Sequence, residues 1–503
     1  MKNYYRKEEM PIPFKKDPQE YRERKLLAEN VFDLLPQDND CFIYEDIFSQ
    51  IDTGTLEKKY SMSGQNAYHP RLITAILIYA YSQGIFSSRK IEARCRKDLS
   101  FMYISHLNCP NFRVLSDFRK DNWQFFKDCF VKSVAIAKSL GMVSLGHVSL
   151  DGSKFHANTS KYKAASYKRL NENYKKLECE IEDLLKKAAD VDRDEDRIYH
   201  NGTGYSVPED IKIKKDRLAK IKRAKEALED REKVKGKKKI KESSQISYAD
   251  TGAKLMKTRG NFEYCYNGQI SVDSKDQIIV SQHLSVNEND KNELNPALGQ
   301  IKDNTGSLPS VMTLDKGYGT PDNIETLDKE GIDGYIAAGR GEKQKKADGS
   351  SRIGTCHFSY NRQRDIFTCP CGHTLKFKSK NKKRIYKSDG NVCTGCSYLK
   401  CIARKKKAAT LYLDDKAVVL HCMTVKMESK TSKRIYAKRK IIVEPVFGQI
   451  KTGGFRRFSL RGHDKAGGEF SLVCAVSNFK KIVKRIKDIK SAPQKEQISA
   501  VMG

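Results

Sequence analysis

Two short apolar segments of the chain are each followed directly by an aspartate. Val143 to Leu150 is rich in β-branched and apolar residues and leads into Asp151, and Val311 to Leu314 leads into Asp315. Short runs of this kind predict buried strands, and catalytic acids often follow such strands in open α/β sheets. Because Asp-Gly is also a common turn dipeptide, the first acid has a second, purely structural interpretation.

The segments between and after these two strands complete an α/β pattern. Tyr264 to Val272 and Gln277 to Val286 are predicted strands joined by a hairpin signal, and a helix from about Asp290 to Ile301 follows. Thr320 and Pro321 then predict a helix start, and Tyr335 to Ala338 predicts one more short strand. We therefore predict an α/β core with acids at two strand ends.

A third acid, Glu444, lies on a predicted helix. Val443, Val446, Phe447 and Ile450 recur at the spacing of one buried helical face. Taken alone, the segment also fits a surface helix whose glutamate balances nearby lysines.

Several short helices are predicted before the core. His69-Pro70 opens a helix from Arg71 to Tyr81, two more follow, and Ser116 begins a fourth that carries the only tryptophan, Trp123. Their many arginines and lysines are typical of a compact DNA-binding domain. An ordinary helical domain with solvated charge fits equally well.

A highly charged segment interrupts the sheet pattern. Leu170, Leu177 and Ile181 belong to a seam of apolar residues that alternate three and four residues apart, and Ile221 and Leu228 belong to a returning helix. We predict an antiparallel helical hairpin. The basic connector that follows it, Lys233 to Lys241, either contacts phosphates or is simply solvated.

The charge balance indicates the class of partner. Lys and Arg total 95 against 63 Asp and Glu, a formal net charge of +32. Such a field attracts polyanions, so nucleic acid is the first candidate. The N-terminal segment lacks the apolar core of a signal peptide, and the best apolar run, Leu72 to Tyr81, is too short to span a bilayer. We therefore expect a cytoplasmic protein without membrane contact.

Cysteines are clustered before the Glu444 helix. Cys369-Pro370-Cys371-Gly372-His373 is followed by Cys393, Cys396 and Cys401. Paired thiols at this spacing in a reducing compartment are typical of a structural zinc site. The alternative is a set of free thiols on a loop, which would leave an apolar-poor basic segment without an evident means of folding.

Three convergent carboxylates would suit phosphodiester chemistry on DNA. Two divalent ions of the magnesium type can activate the attacking oxygen and stabilise the leaving one, and such ions prefer carboxylate ligands. On this hypothesis Asp151 binds both ions, Asp315 binds one and Glu444 the other. The cations that would bind the phosphates beside the scissile bond are Lys451, Arg456, Arg457 and Arg461.

The chain resembles bacterial insertion-sequence transposases of the DDE class, in the group with a cysteine-rich insertion before the final glutamate. The resemblance rests on Tyr68-His69-Pro70, Ser87-Ser88-Arg89-Lys90, Ser116-Asp117-Phe118-Arg119, Asp151-Gly152-Ser153-Lys154, Leu314-Asp315-Lys316-Gly317-Tyr318 and, most specifically, Val443-Glu444-Pro445-Val446-Phe447-Gly448-Gln449-Ile450-Lys451.

This resemblance implies a fold, a reaction and a set of cofactors. The fold is an RNase H-like mixed-sheet core, and the reaction is cleavage at the element's ends followed by joining of the freed 3′ hydroxyl to target DNA. Mg²⁺ or Mn²⁺ would bind Asp151, Asp315 and Glu444, and a homodimer on the nucleoid would hold two DNA ends together. The implied zinc ligands are Cys369, Cys393, Cys396 and Cys401, with Cys371 as a possible extra ligand.

The family also often places a tyrosine and an arginine before the glutamate and a lysine after it. Lys451 stands at the expected step, whereas Lys440 occupies the arginine's step. Arg439 and Tyr436 come one residue early, so Tyr436, Arg439 and Lys440 are all candidates for DNA contact.

The expected domain organisation follows the chain. It comprises an N-terminal arm (1–60), a helical DNA-binding domain (61–140), the first part of the RNase H-like core (141–160 and 248–340), the charged helical-hairpin insertion (161–247), the cysteine-rich zinc-binding insertion (341–430) and the last part of the core with the Glu444 helix and a basic tail (431–503).

Two other functions stay open from the sequence. One is a catalytically inactive, domesticated DNA-binding regulator, against which the presence of all three acids argues. The other is an RNase H-like nuclease that cuts without joining, which only strand-transfer products can distinguish from a transposase.

Overall fold

The computed structural model describes most of the chain. The described residues are 31–60, 66–198, 209–234, 239–258, 260–337, 353–361, 363–380, 383–405 and 408–502. Residues 1–30 of the predicted arm and 235–238 of the basic connector lie outside these ranges.

The described N-terminal part is helical. Its helices are α1 (Asp40–Phe48), α2 (Gly54–Glu57), α3 (Pro70–Ser82), α4 (Ser88–Lys97), α5 (Leu99–Ile104), α6 (Phe112–Asp121) and α7 (Phe125–Ser139). The prediction that a helix begins at Ser116 and carries Trp123 is wrong. The side chain of Asn111 caps α6 by accepting a hydrogen bond from the Val114 amide at 2.9 Å, so this helix starts earlier and ends before Trp123.

The middle of the chain contains the central sheet and the charged insertion. In chain order its elements are β1 (His147–His156), β2 (Ala164–Ser166), α8 (Tyr167–Ile198), α9 (Glu209–Val234), β3 (Gln245–Ser247), β4 (Lys254–Lys257), β5 (Phe262–Asp273), β6 (Ile279–Ser285), α10 (Leu294–Thr305), β7 (Val311–Leu314), α11 (Pro321–Lys329) and β8 (Asp333–Ile336).

The central sheet is mixed. Its strands are ordered β4-β5-β1-β7-β8, and β6 also pairs with β5, on the edge away from β1. The pairs β1/β5 and β5/β6 are antiparallel, whereas β1/β7 and β7/β8 are parallel. This arrangement is consistent with the RNase H-like core that the resemblance implies.

Strand β1 extends further than its sequence predicts. It begins at His147 and continues through Asp151 to His156, because the whole segment pairs with β5, from Val148↔Asp273 to His156↔Cys265. The prediction that the strand ends at Leu150 is therefore wrong. Asp151-Gly152 is not a turn but lies inside the strand, just beyond the last residue that pairs with β7.

Helices α8 and α9 form an antiparallel hairpin. Lys214 Nζ contacts Glu180 Oε2 at 2.8 Å, and Tyr167 Oη donates a hydrogen bond to Glu229 Oε1 at 2.8 Å. Tyr167 precedes Glu180 along α8, whereas its partner Glu229 follows Lys214 along α9, so the two helices run in opposite directions. The buried seam between the helices contains Leu170, Leu177, Ile181, Ile221 and Leu228.

The cysteine-rich segment forms a second, antiparallel sheet that the sequence analysis did not predict. Its strands are β9 (Ser359–Asn361), β10 (Ile366–Thr368), β11 (Thr374–Lys380), β12 (Arg384–Ser388), β13 (Arg404–Lys405) and β14 (Ala408–Leu413), ordered β13-β14-β12-β11-β10-β9. Phe367, Leu375, Tyr386 and Leu411 are buried in its own small core. The assumption that this segment has no apolar core of its own is therefore wrong.

Five helices complete the described chain after the second sheet. They are α12 (Asp415–Glu428), α13 (Lys430–Ala437), α14 (Arg439–Ile442), α15 (Glu444–Thr452) and α16 (His463–Met502). Helix α15 begins at Glu444, so Pro445 lies in its first turn, where proline is tolerated. Val443, Val446, Phe447 and Ile450 are all buried, as their spacing predicts.

The N-terminal helices pack against α16 through a buried polar network. Arg119 Nη1 donates to Tyr81 Oη at 2.7 Å, and Tyr81 Oη donates to Glu469 Oε1 at 3.1 Å. Glu469 Oε2 in turn accepts from the backbone amides of Ser459 and Leu460 at 2.9 and 3.0 Å. The network therefore fixes the loop between α15 and α16 to the N-terminal helices. Within the described ranges, none of the helices is long and apolar enough to cross a membrane.

Candidate active site

The three predicted acids lie on three separate elements that meet at one edge of the central sheet. Asp151 is in β1, Asp315 directly follows β7, and Glu444 is the first residue of α15. Strands β1 and β7 are adjacent and parallel, with Leu150 opposite Leu314. The register of the sheet therefore brings the residues after these two leucines, Asp151 and Asp315, side by side.

The guanidinium group of Arg439 lies among all three carboxylates. Its Nη1 is 3.0 Å from Asp315 Oδ1, and its Nη2 is 3.3 Å from Asp151 Oδ2 and 3.6 Å from Glu444 Oε1. Burial opposes the charged form of Arg439, but the surrounding carboxylates raise its pKa above the ordinary value. A single cation is thus within reach of the three acids at once.

The three carboxylates differ in burial. The Asp151 side chain is 16% exposed, whereas those of Asp315 and Glu444 are 47% and 48% exposed. Burial raises the pKa of Asp151 to about 6, with smaller contributions from Asp315 and Asp290, while Arg439 and the Gly152 amide lower it. Asp151 is therefore the deepest acid, and the other two lie at an open rim.

The donor atoms of this cluster fit a hard divalent cation. Magnesium-type ions bind carboxylate oxygens and keep several water ligands, which the exposed rim can accommodate. Within the described chain, no group of three or more His, Cys, Asp or Glu residues is already arranged as a metal site. The carboxylates surround Arg439 instead.

Asp290 is an acid at this site that the sequence analysis did not identify. Its Oδ1 accepts hydrogen bonds from Asn267 Nδ2 at 2.8 Å and from Gln269 Nε2 at 2.7 Å. No local motif marks Asp290, because it lies in the loop before α10 and reaches the site only through the folding of the sheet. The single available signal is a negative charge at the predicted start of a helix, shortly after a predicted strand, and the structure places that helix start later, at Leu294.

The Asp290 carboxylate packs against the glycines that accompany the first two acids. A Cβ atom added at Gly152 would lie 2.7 Å from Asp290 Oδ1, and one added at Gly317 would lie 2.8 Å from Asp290 Oδ2. Only residues without a side chain fit at these two positions. Asp290 therefore packs against both of the segments that carry Asp151 and Asp315.

The predicted DNA-contacting cations follow β1 away from Asp151. Lys451 Nζ donates to Ser153 Oγ at 2.5 Å, and the Arg456 carbonyl accepts from the His156 amide at 3.0 Å. Arg457 pairs with His156 as an isolated bridge, and Arg461 Nε donates to the Asn158 carbonyl at 3.1 Å. Arg456, Arg457 and Arg461 are exposed.

The three candidate DNA contacts before Glu444 differ in exposure and in what they face. Lys440 is exposed, and Tyr436 is half-buried. Arg439, rather than Lys440, faces the acids, although Lys440 occupies the step at which the family has its arginine. Because the helix is broken between α14 and α15 at Val443, the number of residues before Glu444 does not predict which way a side chain on α14 points.

The clustered cysteines line one small cavity in the second sheet. Cys369, Cys371, Cys393, Cys396, Cys401 and His373 surround a space of about 20 Å³. Cys371 Sγ and Cys396 Sγ are 3.5 Å apart. As with the acids, these side chains do not already form a metal site in the described residues.

We expect Gly317→Ala to lower the free energy of unfolding by about 1–3 kcal/mol, because the new methyl group meets the Asp290 carboxylate. In the double variant Asp290→Ala/Gly317→Ala the nearest remaining atom is Cβ of residue 290 at 3.5 Å, an ordinary contact. Denaturant unfolding measures the loss of unfolding free energy in each variant. The loss in the double variant should be smaller, by about 1 kcal/mol or more, than the sum of the losses in Asp290→Ala and Gly317→Ala.

Gly448→Ala is the matched control, because a Cβ atom there meets nothing within 4 Å. It should not destabilise the protein. A Gly317→Ala variant as stable as the wild type, or strictly additive losses in the double variant, would contradict this packing.

Two family models match the chain. The model described as a transposase DDE domain matches residues 368–483, which include Glu444 and the clustered cysteines but not Asp151 or Asp315. The model described as a transposase domain, DUF772, matches residues 29–121, the N-terminal helices. No curated protein matches the chain.

A transposase DDE domain implies an enzyme that acts on DNA and uses a divalent metal ion such as Mg²⁺. Together the two matches indicate that the chain is an insertion-sequence transposase of the DDE type.

Proposed function

We propose that the protein cleaves DNA at the ends of an insertion sequence and transfers the freed 3′ hydroxyl into target DNA. The observation that carries the proposal is the approach of Asp151, Asp315 and Glu444 to one cation, with Arg439 nitrogens 3.0–3.6 Å from their oxygens. Because two ends must be brought together, we propose that a homodimer acts on them, in the cytoplasm where the chromosome lies.

Asp151, Asp315 and Glu444 would hold Mg²⁺ or Mn²⁺. On this proposal Asp151, the deepest of the three, contacts two ions, one shared with Asp315 and the other with Glu444. When bound, the ions activate the attacking oxygen and stabilise the leaving oxygen. Arg439 offsets part of the negative charge of the three carboxylates before the metal binds, which lowers the repulsion that would otherwise separate them.

The remaining residues would position the DNA. Lys451, held by Ser153 next to Asp151, is placed to bind a phosphate at the scissile bond. Arg456, Arg457 and Arg461 extend this line of positive charge. We keep Tyr436 and Lys440 as candidate DNA contacts, because both lie on the approach to Glu444.

The reaction has two balanced steps. In the first, a water oxygen bonds to the phosphorus at the element's end, the bond from phosphorus to the 3′ oxygen breaks, and that oxygen takes up a proton. In the second, the 3′ oxygen loses its proton and bonds to the phosphorus of a target phosphodiester, the bond from that phosphorus to the target's 3′ oxygen breaks, and the released oxygen takes up a proton. Neither step requires a covalent bond to the protein.

The test is cleavage and joining of duplex DNA that carries the element's ends, with Mg²⁺ or Mn²⁺. Asp151→Asn, Asp315→Asn and Glu444→Gln should each bind DNA but lose more than about 100-fold in cleavage rate, since even the partners of metal ligands are worth about 10–100-fold. Asp464→Asn, at an acid whose side chain is 73% exposed on α16, should cleave like the wild type.

Each outcome of this assay separates the candidate functions. Cleavage without joined products would indicate a nuclease, and binding without any cleavage would indicate a regulator. A variant of one of the three acids that cuts as fast as the wild type would show that this acid is misassigned.

We also propose a structural Zn²⁺ ion bound by Cys369, Cys393, Cys396 and Cys401, with Cys371 as a possible substitute. Two sulfurs bound at about 2.3 Å to one tetrahedral ion lie roughly 3.8 Å apart, close to the 3.5 Å between Cys371 and Cys396, which supports Cys396 as a ligand and Cys371 as the extra candidate. Because the second sheet has an apolar core of its own, zinc would mainly fix the cysteine loops rather than fold the whole segment.

The purified protein should contain about one zinc ion per chain, measured by elemental analysis. Cys369→Ser/Cys396→Ser should lose the metal and lower the unfolding temperature, whereas Cys179→Ser, at an exposed thiol on α8, should change neither. Metal-free protein whose clustered thiols all react with a thiol reagent in the native state would contradict the proposal.

A further inference from the structure

A basic groove lies between the α8/α9 hairpin and the central domain. It has a volume of about 790 Å³. Its cations come from both sides, three of them from α9 at every third residue. They are Lys163, Arg169, Arg217, Lys220, Arg223 and Arg461.

The cations of the basic groove are available to a ligand. All six are exposed, and among the described residues none of them forms an ion pair with an acid. Asp250 also lines the groove, but it is 2% exposed, and its Oδ1 accepts from Tyr266 Oη at 2.7 Å and from the Gly462 amide at 3.1 Å. The exposed side chains therefore give the groove a strong positive charge.

The groove is fixed to the central domain. Strands β2 and β3 pair at the base of the hairpin, from Ala164↔Ser247 to Ser166↔Gln245. Thr159 Oγ1 lies 2.7 Å from Ser247 Oγ, which joins this small sheet to the segment that follows β1. The groove therefore does not depend on a ligand for its shape.

The groove continues the line of cations that starts at the acids. Lys451 contacts Ser153, the backbones of Arg456 and Arg457 contact that of His156, and Arg461 contacts Asn158. These positions follow β1, which rises about 3.3 Å per residue, so His156 is roughly 17 Å from Asp151 along the strand. Arg461, which contacts the Asn158 carbonyl just past the end of β1, also lines the groove, so the groove lies beyond the end of β1 that is far from Asp151.

We propose that the basic groove binds the phosphate backbone of the duplex whose end is cut, roughly five to eight base pairs from the scissile bond at about 3.4 Å per base pair. Double-stranded DNA fits best, because several exposed cations on a rigid surface match a regular array of phosphates. The hairpin then serves as a clamp that orients the DNA end over the acids. This inference rests on the proposed function, because it takes the DNA end as the ligand.

The test compares two triple variants of α9 with the same change in charge. Arg217→Gln/Lys220→Gln/Arg223→Gln removes cations of the groove, and Lys215→Gln/Lys222→Gln/Lys233→Gln removes exposed lysines from the other face of the helix. Binding to duplex DNA carrying the element's end is measured without divalent metal over a range of salt concentrations.

The groove variant should bind at least about tenfold more weakly at physiological salt, with a slope of log K against log salt that is lower by about 2 to 3. The control variant should stay close to the wild type. Two further duplexes end about four base pairs from the cleavage point, one on each side of it. The duplex that lacks the phosphates of the groove should bind the wild type, the groove variant and the control variant equally well.

Equal losses in the two triple variants would overturn the proposal, since the hairpin would then act only through its total charge. Full binding by the groove variant would overturn it as well. Failure of the wild type to bind any duplex would instead contradict the proposed function itself. That outcome is distinguished from the others because it needs no comparison with a variant.

Discussion

The guanidinium group of Arg439 allows three carboxylates to share one small volume. Without a cation, Asp151, Asp315 and Glu444 would repel one another, most strongly around Asp151, which is the most buried of the three. Their approach follows from two backbone features. The parallel register of β1 and β7 brings the two aspartates together. The helix is broken at Val443, so Arg439 is the first residue of α14 and Glu444 is the first residue of α15, and both side chains reach the cluster.

The rest of the molecule holds this arrangement in place. Glu469 receives hydrogen bonds from Tyr81 and from the loop that carries Arg456 and Arg457, so the N-terminal helices fix the cations that follow the Glu444 helix. The same surfaces approach closely at Gly84, which has a φ of +72° and where a Cβ atom would lie 2.8 Å from the Gly453 carbonyl oxygen. Binding of DNA at these cations and chemistry at the acids therefore depend on one packed unit.

Much of the central domain could be predicted from the sequence. Strand β7 and helix α11 have the predicted starts, because an apolar run and a Thr-Pro cap are strong local signals. The end of β1 was misjudged because Asp-Gly is usually a turn, and only pairing with β5 carries the strand through it. The second sheet was missed because its strands carry many lysines, as in Thr374–Lys380, and only a few buried residues form its core.

The candidate site could be predicted only in part. Spacing and resemblance point to the three acids, but they leave Arg439 as one of three candidate DNA contacts with Tyr436 and Lys440, since sequence spacing does not show that the Arg439 side chain lies among the carboxylates. Asp290 gave no signal, because its role depends on two glycines that are far from it in sequence, Gly152 and Gly317. Contacts of this kind exist only after the sheet has formed.

Cleavage of the protein backbone by Fe²⁺ and ascorbate would test the central claim most directly. Fe²⁺ can take the place of Mg²⁺ at a carboxylate site, and the hydroxyl radicals that it generates cut the nearest peptide bonds. The account predicts cuts near Asp151, Asp315 and Glu444 together, suppressed by excess Mg²⁺. Cuts at only one of these segments, or cuts that Mg²⁺ does not suppress, would show that the three acids do not form a single metal site.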